Sequence, residues 1–155
     1  MIEPLAQAVA RGAEDVAGAS VSLRRIEEAQ PGDLVAADAI IMGCPNWSGI
    51  TGRLKLWLDS LGDLWEERAL LNKIGAAFTT SRSRSAGTEF TLLSLLHWML
   101  AGGMLIAGLP WSPRMLTSGS YYGATACGSV QPEDLEQARA LGRRVAEAAL
   151  RQGHP

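Results

Sequence analysis

The chain has little charge and little cysteine, and each shortage excludes a class of protein. Only 19% of the 155 residues are charged, and the formal net charge is −2. No strong field therefore draws the chain to nucleic acid or to an anionic membrane surface. The two cysteines, Cys44 and Cys127, have neither the spacing of metal ligands nor that of a disulfide framework. We therefore expect a cytoplasmic protein without a metal site.

Apolar residues make up 47% of the chain, which is typical of a globular domain, and the length suits one domain. The first residues enter an amphipathic helix directly, so we expect no signal peptide. Residues 92–109 carry no charge, yet Gly102 and Gly103 interrupt this segment. We expect a buried helix followed by a buried strand there, and no membrane span.

The hydrophobic periodicity predicts alternating helices and strands. Helices are expected at Glu3–Ala17, across Leu54 to Leu61 with an end at Gly62, at Thr88–Ala101, and from about Pro132 onward. Strands are expected at Ser20–Arg25, Asp38–Gly43 (buried on both faces), Lys73–Thr80 and Met104–Leu109. Loops are expected at Pro31–Asp33 and Pro110–Ser129. This order predicts an α/β fold, a parallel sheet covered by helices on both faces.

Three predicted loops follow strands of this sheet, at Cys44–Thr51, Ser81–Gly87 and Pro110–Ser129. Parallel sheets bind ligands at the carboxyl ends of their strands, and small residues let backbone N–H groups approach a ligand. Trp47 lies in the first of these turns, where packing of the core does not require an aromatic residue. A flat ligand stacked at the end of the strand would explain it.

Several ordered motifs at these loops resemble one family, the flavodoxin-like NAD(P)H:quinone oxidoreductases of the tryptophan-repressor-binding-protein (WrbA) type. They are "ADAIIMGCPNWSGITGRLKLWLDSLGDLW", "FTTSRSRSAGTEFTLLSL", "GGMLIAGLPW", "GSYYGATACG" and "QPEDLEQARALGRRVA". The resemblance implies a flavodoxin-like three-layer sandwich with FMN bound noncovalently. It also implies two-electron transfer from NADH or NADPH to a quinone, and assembly as a homo-oligomer, a dimer or a tetramer. No pattern of a Ser-His-Asp triad, a metal site or a P-loop competes with this interpretation.

Carried over by residue, the resemblance implies that Asn46, Trp47 and Ser48 hold the isoalloxazine ring. The family commonly has its aromatic residue one position later, so either Trp47 stacks on the ring or it covers the core or a subunit contact. The second flavin loop corresponds to Ser81, Arg82, Ser83, Arg84, Ser85 and Gly87. Its two arginines either meet the phosphate of FMN or the 2′-phosphate of NADPH, or remain solvated. Trp65 corresponds to a tryptophan of the substrate site, with a helix-end cap as the structural alternative.

The family begins with a buried strand and a phosphate-binding loop, whereas this sequence begins at the helix that follows them. We therefore expect a single domain over residues 1–155 that lacks the first strand and holds FMN weakly. A second hypothesis is a cofactor-free flavodoxin-like module that acts by oligomerising or by binding a partner.

Overall fold

A parallel sheet lies at the centre of the computed structural model, which describes residues 2–116 and 119–153. Its strands in this part of the chain are β1 (Ala39–Pro45), β2 (Ile74–Ser81), β3 (Leu105–Ile106) and β4 (Ala124–Cys127). The helices are α1 (Ile2–Glu14), α2 (Pro31–Ala36), α3 (Gly52–Asp59), α4 (Gly62–Glu66), α5 (Thr88–Ala101) and α6 (Pro132–Gly153), with a 3₁₀ turn at Pro113–Leu116. The predicted α/β fold is confirmed.

Strand β2 is the central strand and is buried along its whole length. Strand β1 pairs with it from Ala39↔Ile74 to Pro45↔Thr80. On the other side, β3 pairs with the first two residues of β2, and β4 pairs with its last four. Strands β3 and β4 are thus two pieces of one interrupted line beside β2.

This interruption corrects two predictions. The strand expected at Met104–Leu109 is regular only at Leu105–Ile106, although the N–H of Ala107 still donates to the carbonyl of Gly75 at 2.8 Å. Pro110, which lacks an N–H to donate to a ladder, follows soon after. The loop expected at Pro110–Ser129 contains the 3₁₀ turn and β4. Two residues of that loop, 117 and 118, lie outside the described residues.

Helices cover both faces of the sheet. One face carries α3, α4 and α5 over the core side chains of Ile40, Met42 and Ala77. The other face carries α1 and α6 over Ile74, Ala76 and Phe78.

Glycines allow α1 and α6 to cross at short range. A Cβ on Gly142 would lie 1.9 Å from the carbonyl oxygen of Val9, and one on Gly12 would lie 2.0 Å from that of Arg139. Beside this crossing, Arg139 donates to the carboxylate of Asp15 at 2.9 Å, and Arg143 does so at 3.3 Å. These bonds, led by that of Arg139, hold the pKa of Asp15 below its usual value of 3.8.

The segment Ser20–Arg25 is not a strand, which corrects another prediction. It has no regular secondary structure and is largely exposed, and Leu23 keeps 50% of its surface in water. Within the described residues, no strand pairs with it or with the outer edge of β1. An alternating pattern forms a strand only where a hydrogen-bonding neighbour is present. The open edge also explains why Ile41 is only half-buried and Gly43 exposed, although both faces of this strand were expected to be buried.

Two smaller predictions are also wrong. Pro31–Asp33 is not a loop but the first turn of α2, where proline fits and the carboxylate of Asp33 accepts the N–H of Gln30 at 2.8 Å. The helix after the first loop does not continue to Gly62: α3 ends at Asp59, and α4 starts at Gly62.

None of the helices in the described ranges is long and apolar enough to cross a membrane.

Candidate functional site

Three loops meet at the carboxyl edge of the sheet, the edge where its parallel strands end. The first loop (residues 46–51) follows β1, and the N–H of Asn46 donates to the carbonyl of Thr80 at 2.7 Å. The second loop (residues 82–87) follows β2. The third loop (residues 128–131) follows β4, and the N–H of Gly128 donates to the carbonyl of Ser81 at 2.9 Å. The sequence predicted a third loop after the strand at Met104–Leu109, but the loop that reaches this edge follows β4 instead.

The side chain of Asn46 ties the first loop to the second loop and to α5. Its amide nitrogen donates to the carbonyl of Ala86 at 2.6 Å. Its amide oxygen accepts the N–H of Gly49 at 3.0 Å and the hydroxyl of Thr91 at 2.9 Å. Asn46 therefore holds the frame of the first loop, and its amide is occupied by protein partners.

Trp47 and Ser48 lie at the tip of the first loop. The indole of Trp47 is 82% exposed, so it does not cover the core of its own chain. The backbone N–H of Trp47 donates to the carbonyl of Gly49 at 2.9 Å, which closes a tight turn. Ser48 has a φ of 57°, which is uncommon for a residue other than glycine, and Gly49 has a φ of 121° with open space around it. The turn presents an aromatic face and a small polar residue to solvent, as a site for a planar ring requires.

The second loop has a buried base and an exposed tip. The hydroxyl of Ser81 is committed to the carbonyl of Ser83 at 2.9 Å. Arg82, Ser83, Arg84 and Ser85 are exposed. Gly87, with a φ of 83°, turns the chain into α5. The structure thus brings all the residues predicted for the two flavin loops to one edge of the sheet.

Thr80 was missed by the sequence analysis and lies beside this site. Thr80 is 1% exposed, and its hydroxyl oxygen has no hydrogen-bond partner among the described residues. It shares with Phe78 the sheet face that α1 and α6 cover. Just beyond the end of α1, Gly18 lies beside Leu150, late in α6. Helix α6 follows β4 and therefore runs from the carboxyl edge to the amino edge, so α1, whose end lies near the end of α6, starts at the carboxyl edge. The first turn of a helix leaves N–H groups unpaired, although Pro4 contributes none. Unpaired N–H groups at the start of a helix favour an anionic group.

Trp65 lies at the opposite edge of the sheet, the amino edge. Its ring is 5.7 Å from that of Trp98 between centroids and packs against Gly102, just beyond the end of α5. Helix α5 rises about 1.5 Å per residue, so the eleven residues from Gly87 to Trp98 span about 16 Å. The structure does not bring Trp65 to the loops of its own chain.

The parallel sheet, the two faces of helices and the loop cluster at the carboxyl edge define a flavodoxin-like protein with a site for a flat cofactor. Residues 31–112 match the model of the NADPH-dependent FMN reductase family. A WrbA-like flavodoxin from Agrobacterium tumefaciens has a similar structure, with a TM-score of 0.74 and 29% identity over 96% of this chain and 89% of that one. The flavodoxin of Megasphaera elsdenii shares the fold, with a TM-score of 0.67 and 18% identity over 94% of this chain and 90% of that one.

Relatives with curated names indicate which enzymes of this class the chain is similar to. An NAD(P)H dehydrogenase (quinone) from Archaeoglobus fulgidus is 39% identical over 94% of this chain and 89% of its own length. The NAD(P)H dehydrogenase (quinone) 3 of Rhizobium meliloti is 37% identical over 96% of this chain and 86% of its own length. The chain belongs to the NADPH-dependent FMN reductase family, in its NAD(P)H dehydrogenase (quinone) branch. FMN is the cofactor.

Proposed function

We propose that this protein is an FMN-dependent NAD(P)H:quinone oxidoreductase that transfers two electrons from NADH or NADPH to a quinone. Residues 1–155 act as one flavodoxin-like domain. The observation that carries the proposal is the pair of loops tied together through Asn46, with Trp47 exposed at their tip. When bound, FMN supplies the hydride chemistry, and the protein supplies binding, orientation and electrostatics.

Each part of the site has a role in binding FMN. Trp47 stacks on the isoalloxazine ring, and Ser48 offers a hydroxyl and an N–H that have no partner in the described structure. The polar groups of the second loop, from Ser81 to Gly87, line the cofactor. Thr80 and the first turn of α1 would receive the phosphate in place of the family's phosphate-binding loop, and because that loop is missing from residues 1–155 we expect weak binding of FMN. When bound, FMN would accept the hydride of the nicotinamide and pass it to the quinone, and the proton that completes the hydroquinone would come from solvent.

Steady-state kinetics tests this assignment. Nicotinamide and quinone use the same open position in turn, so initial rates at several concentrations of both should give parallel double-reciprocal lines. Intersecting lines would contradict a shared position. An FMN-free preparation that reduces the quinone at the full rate without added FMN would contradict the assignment of the cofactor.

We also propose that the protein works as a homo-oligomer, a dimer or a tetramer, in the cytoplasm. Helix α5 carries no charged residue after Glu89, and it exposes an apolar stripe at Phe90 (76% exposed), Leu93 and Leu100 (59%). A helix that is apolar all round is normally buried, so a second copy is the natural cover for this stripe. Sedimentation of the wild-type protein and of Leu100→Glu tests this point. A monomeric wild type would contradict it.

Assembly would give Trp65 its predicted substrate role. Since this ring cannot reach the loops of its own chain, it serves the site of a neighbouring copy. Trp65→Ala should then raise the KM for quinone and leave the FMN content unchanged. A variant that loses FMN but keeps the wild-type KM would assign Trp65 to folding instead.

A further inference from the structure

We propose that Thr91 is a positioning residue for the flavin loop, acting through the side chain of Asn46. The inference deepens the proposed function and rests on it for the consequence for FMN. The hydrogen-bonded link from Thr91 to the loop is a property of the chain itself. Thr91 lies in the first turn of α5, ten residues beyond the end of β2.

The buried hydroxyl of Thr91 is hydrogen-bonded to the side chain of Asn46. The side chain is fully buried, with 0% exposure, and its hydroxyl lies 2.9 Å from the amide oxygen of Asn46. The backbone N–H of Thr91 is already bonded to the carbonyl of Gly87 at 3.2 Å. A buried hydroxyl costs free energy unless it is hydrogen-bonded, so this bond is what makes a threonine acceptable among the apolar residues of α5.

The Asn46 amide has one orientation that satisfies its partners, and the bond to Thr91 adds to that orientation. The amide nitrogen faces the carbonyl of Ala86, which only accepts, and the amide oxygen faces the N–H of Gly49, which only donates. Thr91 adds a second donor to that oxygen. A flipped amide would set its NH₂ group against the N–H of Gly49 and its oxygen against the carbonyl of Ala86. The carbonyl of Ala86 and the N–H of Gly49 therefore fix the orientation of the amide, and the hydroxyl of Thr91 further restrains its oxygen.

The first loop, which these hydrogen bonds of Asn46 hold in place, carries the proposed ring contacts. Gly49 is anchored through Asn46, and Trp47 and Ser48 lie between the two anchored residues. Removing the hydroxyl leaves the amide oxygen with the Gly49 bond alone, and the turn gains freedom. A turn that is less well ordered before binding pays more entropy when the ring binds.

The test compares Thr91→Val, which keeps the shape and removes the hydroxyl, with Thr91→Ser, which restores it. Thr88→Val is the matched control: it makes the same substitution in the same helical turn, but the hydroxyl of Thr88 contacts Glu89 at 3.2 Å. The first readout is the hydrogen exchange of the Gly49 amide, measured by NMR without FMN. The second is the Kd for FMN. Thr91→Ala replaces the valine variant if that variant fails to fold.

Thr91→Val should speed the exchange of the Gly49 amide and weaken FMN binding, each by about tenfold, as for one buried hydrogen bond. Thr91→Ser should restore both values, and Thr88→Val should move neither. Unchanged Gly49 exchange in the valine or alanine variant would overturn the link, whatever its effect on FMN. Equal changes in the Thr88 variant would assign Thr91 to general helix packing. The exchange of the Gly49 amide could respond as expected although neither the wild type nor any variant binds FMN. In that case the proposed function fails and the Thr91 link stands.

Discussion

Replacing Trp47 with alanine should separate binding from folding. The indole is 82% exposed, so its loss should change the free energy of unfolding by no more than about 0.5 kcal/mol. Its expected contribution to FMN binding is larger. An aromatic side chain offers about 150–250 Å² of surface, and covering one face removes about 60 Å² from water, about 1.5 kcal/mol at 25 cal/mol per Å². Stacking adds about 0.5–1.5 kcal/mol. The sum is about 2.5 kcal/mol, or a Kd raised by about sixtyfold.

The assay is a titration of FMN-free protein with FMN, followed by quenching of the flavin fluorescence, together with urea unfolding of the same samples. Trp47→Phe should recover most of the affinity, because phenylalanine still offers an aromatic face. Trp57→Ala serves as the opposite control: Trp57 packs partly against the core, so its loss should destabilise the fold. A Trp47→Ala variant with wild-type affinity for FMN, or one that unfolds as readily as Trp57→Ala, would refute the stacking role.

Three further predictions concern specificity, packing and charge. Changing Arg82 and Arg84 together to glycine should lower the preference for NADPH over NADH in kcat/KM by about tenfold, the usual worth of a charge-assisted bond to phosphate; an unchanged ratio would contradict this. Gly142→Ala should lower the free energy of unfolding by about 3 kcal/mol in urea, because the new Cβ would lie 1.9 Å from the carbonyl oxygen of Val9, whereas Gly153→Ala, in open space, should be neutral. The lowered pKa of Asp15 contributes stability above pH 3.8, and this stability is lost as the pH falls through the folded-state pKa. Asp15→Asn should therefore lower the Tm at pH 7, and the difference in Tm from the wild type should shrink below pH 3.8. A difference in Tm that does not depend on pH would contradict the ion pair.

The elements that local sequence determines were predictable. Helix α5 spans Thr88–Ala101 as expected, because Gly87 and Gly102 bound a largely apolar segment without an internal Gly or Pro. Strands β1 and β2 were found from short apolar runs followed by small polar residues. The elements that depend on a distant neighbour were not predictable. Ser20–Arg25 has the pattern of a strand but no neighbouring strand in the described part of the chain, and Ala124–Cys127 becomes a strand only because β2 lies beside it.

The residues of the candidate site also fall into those that the sequence could identify and those that depend on the fold. Asn46, Trp47 and Ser48 could be identified because a turn of unusual composition follows a buried strand. Thr80 and Thr91 could not, since their roles come from the register between β1 and β2 and from the docking of α5. A threonine on the buried side of an apolar helix was the one signal that the sequence offered for Thr91. The position of Trp65 at the amino edge depended on where α4 and α5 end, which a motif does not specify.

The most direct test of the central claim mixes FMN-loaded protein with NADPH or NADH without oxygen, and then with a benzoquinone. We predict that the visible flavin absorbance disappears at a rate that saturates with the nicotinamide, and that it returns in full when one equivalent of quinone is added. A protein that does not hold FMN, or whose absorbance is unchanged by either nicotinamide, would contradict the oxidoreductase assignment and favour a cofactor-free module.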